Sequence, residues 1–538
     1  MTPLTQKIYK VESLFSEWNK PGSPGGAVSI IQRGQIIYSR GFGMADLEHD
    51  IPISKNSVFD IGSISKQFVA MCVALLARRG KLSLDDEIQK HLSELKYYEY
   101  PITIRHLIHH TSGIRDYLTL MDLAGLRFEN EYPDDETLNL IACQKQLNFH
   151  SGEEYLYSNS GYLLLAEIVK RTSGQTLRAF AEENIFAPLE MKDTFFHDDF
   201  SEIVKNRAIG YSPKESGGFR IDMSIFDAVG DGGVYTTVED LCRWDANFYN
   251  NTVGGYGQDL IEEITTAGKL NSGEALDYAF GLNLGTYRGL RIIGHGGAWM
   301  GYRAEMTRFP EQSFSIICLF NLSSVNLIKL TKQVADIFLA EDFSMPEKVL
   351  QNEQRFIELS SSELTAKSGF YRNLKNGDIW KLTTQTGKLM AEVSGMSFQI
   401  APTSLKHYKS VGVPFEISIE FDKHSPQSPV VMHVQIDGGK PNILERANTT
   451  SLDAVRLMDY SGDYYCEELA CNYRIMATNS ELTIDRRNSP REHLELVSRD
   501  LFKGACGSFE FICNTQNEVV GFTLSEGRVK NINFVKQY

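Results

Sequence analysis

The hydrophobic pattern at the start of the chain predicts a helix, a β-hairpin and a second helix. Apolar residues near the N-terminus recur at helical spacing: Ile8, Val11, Leu14 and Phe15. Residues 26–40 then form two apolar runs that break at Arg33-Gly34, which is typical of a hairpin turn. From residue 63 to 79 the spacing is helical again, and Gly80 is placed to end that helix.

Helical stretches dominate the middle of the chain and strands return after it. Between residue 80 and about 290 the helices are separated by loops such as HHTSGIRDY and VGDGGVYTT. Strands are predicted at 291–295 and in the runs RAEMTRF and FSIICLF, followed by a helix at 326–341. Helix-rich sequence flanked by sheet at both ends predicts an α+β domain that closes near residue 340.

The C-terminal part of the chain contains an internal repeat. Residues 368–390 align without gaps onto residues 461–483, at a constant offset of 93. The alignment matches Ser368, Gly369 and Tyr371 with Ser461, Gly462 and Tyr464, Trp380 with Tyr473, and Leu382 and Leu389 with Ile475 and Leu482. Both copies are rich in strands and turns, so we expect two all-β modules, each a small closed barrel without exposed strand edges.

Length and composition agree with a multidomain α+β protein. A chain of 538 residues exceeds what one core supports, and a polar stretch that opens at Pro346 separates the two kinds of sequence. We therefore expect three domains, at residues 1–345, 361–450 and 451–538. The net charge of −15 disfavours nucleic acid and anionic lipid as partners, and no apolar run reaches the ~18 residues of a membrane span.

The N-terminus and the cysteines bear on the compartment. Residues 1–18 lack the apolar core of a signal peptide, so a cytoplasmic location is expected, or a periplasmic one if a leader has been removed. The eight cysteines show no C-x-x-C pairing and sit mostly in apolar runs. We expect buried free thiols, with disulfides or zinc ligation as the alternative.

The segment FDIGSISKQFVA carries the first candidate chemistry. A helix that begins at Ser63 places Ser63 and Lys66 on one face. A serine hydroxyl needs a neighbouring proton acceptor to become a nucleophile, and a serine at a helix N-terminus brings its own N–H toward a developing oxyanion. The motif alone is weak, because Ser93 and Lys96 have the same spacing and an exposed helix face explains either pair.

Two further segments add to the candidate site. Tyr157-Ser158-Asn159 precedes an apolar helix, which places a phenol and an amide in a turn. Later, an apolar strand ends in His295-Gly296-Gly297, where glycines allow close approach to the backbone.

These three elements, in this order, resemble the serine β-lactamase and penicillin-binding-protein superfamily, in particular its class C-like branch. The segments GKLSLDDEI, ITIRHLIHHTSGI and GDGGVYTTVEDLCRW are also typical of that branch, and the resemblance covers residues 10–340. It implies a catalytic domain with an antiparallel sheet and a helical lobe, no cofactor and no metal. The implied roles are Ser63 as nucleophile, Lys66 in its proton network, Tyr157 as general base, and Asn159 as an orienting group, with the N–H groups of Ser63 and Ala298 as oxyanion donors.

The triplet His295-Gly296-Gly297 differs in its first residue from the triplet of superfamily members that bind a substrate carboxylate. They usually carry lysine first, whereas this chain has His295, which is neutral or partly charged near pH 7. Histidine here resembles the esterases and D-aminopeptidases of the branch; the alternative is that His295 only packs beside the strand. Trp299 and Tyr302 are candidates for an aromatic pocket wall or for core, and Asp231 for a turn. Structural roles are also favoured for His106, His109 and His110, which have no matched carboxylate for a metal.

The resemblance implies a serine hydrolase that acts through an acyl-enzyme on a small ester, amide or D-amino-acid peptide. The alternatives are a penicillin-binding sensor without turnover, and a β-lactamase or DD-carboxypeptidase. A catalytic domain followed by two barrels resembles the three-domain D-aminopeptidases, in which a loop of the last barrel reaches the active site. The candidate loop is 485–491, where Asp485 is expected to hold a substrate ammonium unless it belongs to an exposed turn.

Overall fold

The computed structural model describes residues 2–127, 134–344, 356–393, 395–413, 416–422, 430–436, 439–448, 454–478 and 480–537. The chain divides into two compact units. Unit 1 comprises Met1–Ile114, Phe128–Ala142 and Phe149–Pro346, and unit 2 comprises Arg115–Arg127, Cys143–Asn148 and Glu347–Tyr538. The boundary predicted at Pro346 lies outside the described residues.

A six-stranded antiparallel sheet organises unit 1. Its strands are β1 Gly26–Gln32, β2 Gln35–Phe42, β10 Asn283–Tyr287, β11 Leu290–Trp299, β12 Tyr302–Phe309 and β13 Phe314–Phe320. Their order in the sheet is β10-β11-β12-β13-β1-β2, so the N-terminal hairpin pairs with the last strand of the sheet. Short strands form small additional sheets: β3 Met44–Asp46, β4 Ile51–Pro52, β5 Phe59–Asp60, β6 Phe195–Phe196, β7 Tyr211–Pro213, β8 Phe219–Ile221 and β9 Val234–Thr236.

Helices cover this sheet and form the middle of the chain. They are α1 Pro3–Leu14, α2 Lys66–Arg78, α3 Ile104–Ile108, α4 Tyr117–Leu123, α5 Asp134–Ala142, α6 Asn159–Ser173, α7 Leu177–Ala181, α8 Val238–Asn247, α9 Gln258–Ile264 and α10 Leu327–Phe338. Short 3₁₀ turns occur at Gly62–Ser65, Ile88–Lys90, Val253–Gly255 and Pro310–Gln312, and a π turn at Glu182–Phe186. All but α4 belong to unit 1.

The hydrophobic periodicity predicted the first elements correctly. Val11 and Phe15 are buried in one core with Val28, Ile316 and Val334, which joins α1, β1, β13 and α10. The hairpin turns at Arg33-Gly34 as expected. The helix predicted from Ser63 begins as the 3₁₀ turn Gly62–Ser65 and becomes α-helical at Lys66. Gly80, with φ +67°, follows its end.

Two closed antiparallel barrels make up most of unit 2, which confirms the two predicted all-β repeats. The first consists of β14 Gly369–Arg372, β15 Ile379–Gln385, β16 Lys388–Val393, β17 Met396–Pro402, β18 His407–Val411, β19 Ile417–Asp422, β20 Val431–Ile436 and β21 Asn442–Arg446. The second consists of β22 Gly462–Cys466, β23 Cys471–Ala477, β24 Leu482–Asp485, β25 Glu492–Ser498, β26 Leu501–Gly504, β27 Gly507–Cys513, β28 Val519–Glu526 and β29 Val529–Gln537. Helices α11 Ser361–Thr365 and α12 Ala454–Asp459 precede them.

The two barrels have the same tyrosine hydrogen bond in their first strand. The Tyr371 hydroxyl donates to the Lys367 carbonyl at 2.9 Å, and the Tyr464 hydroxyl donates to the Tyr460 carbonyl at 2.7 Å. Both bonds span four residues and are related by the 93-residue offset. The repeat seen in the sequence is therefore a repeat in structure.

Unit 2 also contains two segments that lie much earlier in the sequence, and Arg115 fastens them to the second barrel. Its guanidinium is buried and donates to the Glu468 carboxylate at 2.8 Å and to the Lys530 carbonyl at 2.9 and 3.1 Å. The Gln144 side chain accepts from the same group at 3.1 Å. A buried cation with these partners ties α4 and residues 143–148 to the barrel.

Among the described residues, none of the helices has the length and apolar character needed to cross a membrane.

All eight cysteines are free thiols, as expected. Cys143 is exposed and Cys513 is half-buried, whereas the other six are buried.

We expect Arg115→Ala to open the α4 segment, because it removes the cation paired with the buried Glu468 carboxylate. Breaking a buried pair costs about 3–5 kcal/mol, so amide hydrogen exchange in Tyr117–Leu123 should become about 100-fold faster or more. Hydrogen-exchange mass spectrometry on the full chain measures this. Arg474→Ala is the matched control, since it removes an exposed pair with Asp463 in the same barrel. Unchanged exchange in Arg115→Ala contradicts the prediction.

Candidate active site

The predicted nucleophile lies in a tight turn at the start of α2. Ser63 is half-buried in the 3₁₀ turn Gly62–Ser65. Gly62 has φ +50°, and an added Cβ there would lie 2.8 Å from the Ala298 nitrogen. Its N–H donates to the Asp60 carboxylate at 2.8 Å. A glycine is therefore required where the serine turn approaches β11.

Lys66 is fully buried one turn after Ser63. Its Nζ donates to Ser63 Oγ at 3.0 Å, to Asn159 Oδ1 at 3.0 Å and to the Asp231 carbonyl at 2.5 Å. An ammonium carries three N–H donors, and these three oxygens match them. Burying a cation is costly unless it is hydrogen-bonded in this way, so the arrangement supports a charged Lys66.

Tyr157 is held beside this cation by the loop that contains His110. The His110 carbonyl accepts from the Leu156 N–H at 3.0 Å, and its Nδ1 accepts from the Ser158 N–H at 3.2 Å. The His110 and Tyr157 rings lie 4.1 Å apart between centroids. Lys66 Nζ is 5.0 Å from the centroid of the Tyr157 ring. The structure thus brings together Ser63, Lys66, Tyr157 and Asn159, as the sequence predicted.

Strand β11 brings the triplet His295-Gly296-Gly297 against the turn Gly62–Ser65, which contains Ser63. An added Cβ on Gly297 would lie 1.9 Å from the Ile61 carbonyl oxygen and 3.3 Å from the Ser63 nitrogen. A side chain at Gly297 would therefore push the strand away from the turn. Gly296 faces Glu305 on β12. The close contact brings the backbones of Ser63 and Ala298 next to each other. Their role as an oxyanion pair stays a prediction.

His295 is buried and uncharged. Its Nδ1 lies 2.6 Å from the Gly296 carbonyl oxygen, and its Nε2 lies 3.1 Å from the Tyr278 hydroxyl. Because a carbonyl only accepts, Nδ1 carries the proton and Nε2 accepts from Tyr278. Burial, together with the nearby positive charge of Lys66, lowers the pKa of His295 to about 4. The side chain is therefore neutral at pH 7 and unsuited to bind a carboxylate.

Two further residues, Asp60 and Tyr278, contact the site and are not predicted from the sequence. Asp60 is buried three residues before Ser63, and burial raises the pKa of its carboxyl to about 7, aided by the negative charge of Asp231 and opposed by the hydrogen bond from Gly62. Asp60 stands inside the FDIGS segment, yet nothing in the local pattern marks it as buried. Tyr278 lies in an ordinary apolar run, so its bond to His295 had no sequence signal.

Trp299, Tyr302 and Asp485, which the sequence also marked as candidates, have different surroundings. Trp299 is half-buried, 6.3 Å from the Phe226 ring. Tyr302 is core, since it is buried and its hydroxyl donates to the Ala208 carbonyl at 2.5 Å. Asp485 ends β24 in the second barrel, where its carboxylate pairs with Arg491 at 2.8 Å. Its predicted contact with a substrate ammonium stays a prediction.

The neighbouring histidines have structural partners. His106 accepts through Nδ1 from the Thr103 N–H at 3.2 Å and caps α3, while His109 Nδ1 lies 3.0 Å from the Arg105 carbonyl. Burial lowers the pKa of His109 to about 4. Within the described part of the chain, the one group of side chains close enough to share a metal ion is Asp46, Glu48 and His49, and two of these are exposed.

Known proteins resemble this chain over most of its length. The profile of the family described as Beta-lactamase matches residues 11–337. Penicillin-binding protein 4* of Bacillus subtilis (strain 168) is 27% identical over 437 residues, which covers 77% of this chain and 94% of that protein. The D-aminopeptidase of Brucella anthropi is 26% identical over 443 residues, covering 82% and 81% respectively.

Solved structures show the same fold. The octameric penicillin-binding protein homologue from Pyrococcus abyssi superimposes with a TM-score of 0.58 at 22% identity, over 82% of this chain and 100% of that chain. The β-lactamase-like catalytic domain predicted from the motifs is thereby confirmed.

The raised pKa of Asp60 predicts how stability depends on pH. The contribution of its protonated form is full below about pH 3.8, where an unfolded aspartate also holds its proton, and is lost as the pH rises to about 7. The loss is on the order of a few kcal/mol. Asp60→Asn keeps an acceptor for the Gly62 N–H but cannot ionise, so the melting temperature should fall less between pH 5 and 7 than in the wild type.

Asp85→Asn is the control for this experiment. Asp85 pairs with Arg105, which lowers the pKa of its carboxyl, so its titration lies below the measured window. The slope of melting temperature against pH should be the same in Asp85→Asn as in the wild type. An Asp60→Asn slope equal to that of the wild type would show that Asp60 does not hold its proton.

Proposed function

This chain belongs to the beta-lactamase family and is a serine hydrolase, and we propose that it cleaves small amides, esters and D-amino-acid peptides through an acyl-enzyme on Ser63. The observation that carries the proposal is the hydrogen bond of 3.0 Å from Lys66 Nζ to Ser63 Oγ, made by a buried cation that Asn159 and Asp231 also hold.

In the proposed reaction, Ser63 Oγ attacks the substrate carbonyl carbon while Tyr157 takes the hydroxyl proton. The carbonyl oxygen becomes an oxyanion that the N–H groups of Ser63 and Ala298 stabilise. The bond to the leaving group then breaks, and Tyr157 returns the proton to the departing nitrogen or oxygen. Water then gives a proton to Tyr157 and attacks the carbonyl carbon of the acyl-enzyme. The bond to Ser63 Oγ breaks, Tyr157 returns the proton to Ser63 Oγ, and the acid is released.

The environment of Lys66 supports this division of roles. An ammonium that donates to three oxygens has no lone pair with which to act as a base. A positive charge near a phenol favours its deprotonated form, and Nζ lies 5.0 Å from the Tyr157 ring centroid. We therefore assign the base to Tyr157, and to Lys66 the stabilisation of negative charge on Tyr157 and Ser63.

The substrate class follows from His295 and from the relatives. A neutral, buried imidazole at the head of the triplet supports substrates without a carboxylate next to the scissile bond. The D-aminopeptidase from Brucella anthropi supports D-amino-acid amides and peptides. Penicillin-binding protein 4* supports acylation by β-lactams as a second activity, which the absence of a cation at position 295 would make inefficient.

The expected partners are a small molecule or a short peptide as substrate, and no nucleic acid.

We also propose a reducing, cytoplasmic setting, because all eight cysteines are free thiols. The complete set of Ser63, Lys66, Tyr157 and Asn159 argues against a penicillin-binding sensor without turnover.

We expect a fluorophosphonate to label Ser63 and no other serine, as peptide mass spectrometry will show. Hydrolysis of p-nitrophenyl acetate should be lost in Ser63→Ala and reduced at least 100-fold in kcat in Lys66→Ala and Tyr157→Phe, with smaller changes in KM. Ser93→Ala and Tyr249→Phe are matched controls: Ser93 and Lys96 repeat the spacing of Ser63 and Lys66, and Tyr249-Asn250-Asn251 repeats that of Tyr157-Ser158-Asn159. Labelling elsewhere, or near-native kcat in Tyr157→Phe, overturns the assigned roles.

We expect a preference against carboxylates. The amide of D-alanyl-D-alanine should be cleaved with a kcat/KM at least tenfold above that of the free acid, because no cation meets the carboxylate at position 295. His295→Lys should shift the ratio toward the acid and raise penicillin acylation, whereas His295→Gln, which stays neutral, should keep the wild-type ratio. A higher kcat/KM for a β-lactam than for simple esters refutes this preference.

A further inference from the structure

The first barrel holds a cavity of about 380 Å³. Its wall is mainly apolar and includes Trp380, Val393, Phe398, Ile417, Val434 and Leu444. These residues come from β15, β16, β17, β19, β20 and β21, so the cavity lies inside the strand ring. Its volume falls in the range of roughly 300–1,000 Å³ that is typical of small-molecule sites.

The strand pairing shows which residues of the second barrel correspond to residues that line the cavity of the first. Tyr371 pairs with Arg446 in the first barrel and Tyr464 pairs with Lys536 in the second. Leu444 of the first barrel and Phe534 of the second each lie two residues earlier on the last strand, so they are equivalent. Four residues earlier, Asn442 is equivalent to Ile532. Their partners on the neighbouring strand, Val434 and Leu524, are therefore equivalent as well.

At these equivalent positions the second barrel carries larger or more apolar side chains. Phe534 packs on Phe522 at 4.7 Å and on Tyr473 at 4.4 Å between ring centroids. Phe522 also meets Phe509 at 5.3 Å and Tyr464 at 5.0 Å. Rings thus fill the second core, whereas Leu444, Val434 and Asn442 leave room in the first. Because interiors are normally close-packed, the space in the first barrel needs an explanation.

Polar and exposed apolar groups at the cavity indicate what enters it. Asn373, Asp378 and Asn442 are the polar residues of the lining. Asn373 uses Oδ1 to accept from the N–H groups of Lys375 and Asn376, and among the described residues no acceptor meets its Nδ2. Met396 and Ile436, which also line the cavity, are 46% and 42% exposed. An apolar space therefore opens through an apolar rim, and its polar groups are the amides of Asn373 and Asn442 and the carboxylate of Asp378.

We propose that the first barrel is a binding site for a small apolar molecule that is neutral or cationic and carries an N–H group. The apolar body fills the space beside Trp380, Val434 and Leu444. The N–H end donates to the Asp378 carboxylate, and a carbonyl or hydroxyl beside it accepts from Asn373. An anionic molecule is excluded by Asp378. This site uses none of the residues assigned to catalysis.

The neutral fluorophore N-phenyl-1-naphthylamine, which has an aromatic body and one N–H, is the probe for the test. With the full chain we expect saturable binding of one molecule per chain, a blue shift of its emission, and energy transfer from tryptophan. Leu444→Phe and Val434→Leu each install the side chain of the second barrel, and each should weaken binding at least tenfold. The first fills more space, and the second is the milder change should the first disturb folding.

Ile443→Phe is the matched control, because Ile443 is adjacent on the same strand but is exposed and outside the lining. It should bind the probe as the wild type does. Protein labelled at Ser63 with a fluorophosphonate should also bind normally, which separates this site from the active site. Binding that persists in both filled variants, that is lost on Ser63 labelling, or that is never saturable at one per chain overturns the proposal.

Discussion

The buried positive charge of Lys66 is the constraint on which the active site depends. Its partners come from three places in the chain: Ser63 in the turn before α2, Asn159 at the start of α6, and the Asp231 carbonyl in the loop before β9. A buried cation that loses a partner is strongly destabilising. The three elements must therefore meet at one point, and the nucleophile is oriented by the same bond that satisfies the charge.

The charge also acts on its surroundings. It lies beside the Tyr157 ring, and together with burial it keeps His295 neutral. A site with one fixed cation and a neutral imidazole has different chemistry from one with two cations, since it favours negative charge on the nucleophile and the base but offers little to a substrate carboxylate. The same electrostatic arrangement thus supports both the mechanism and the substrate class.

Duplication followed by divergence of the core describes the C-terminal barrels. Both keep the glycine and the tyrosine bond at their first strand. Their interiors differ, because phenylalanines stack in the second where smaller residues leave a cavity in the first. The second barrel instead holds the segments around Arg115 and Gln144 through a buried ion pair. The second copy anchors these segments, and the first contains the cavity proposed to bind a ligand.

The sequence by itself determined the features that repeat over short distances. Hydrophobic spacing predicted α1, the hairpin and the helix after Ser63, because periods of 2 and 3.6 residues are local signals. The internal repeat with its 93-residue offset predicted the two barrels, because one copy of the sequence can be compared with the other. Three short motifs in order predicted the family and the residues that meet at Lys66, because the serine turn and the glycine strand each need particular residue types. The rest was decided by tertiary packing. The Asp231 carbonyl, Tyr278, Asp60 and Arg115 acquire their roles from segments far apart in sequence, and burial and partner charges exist only once the chain is folded.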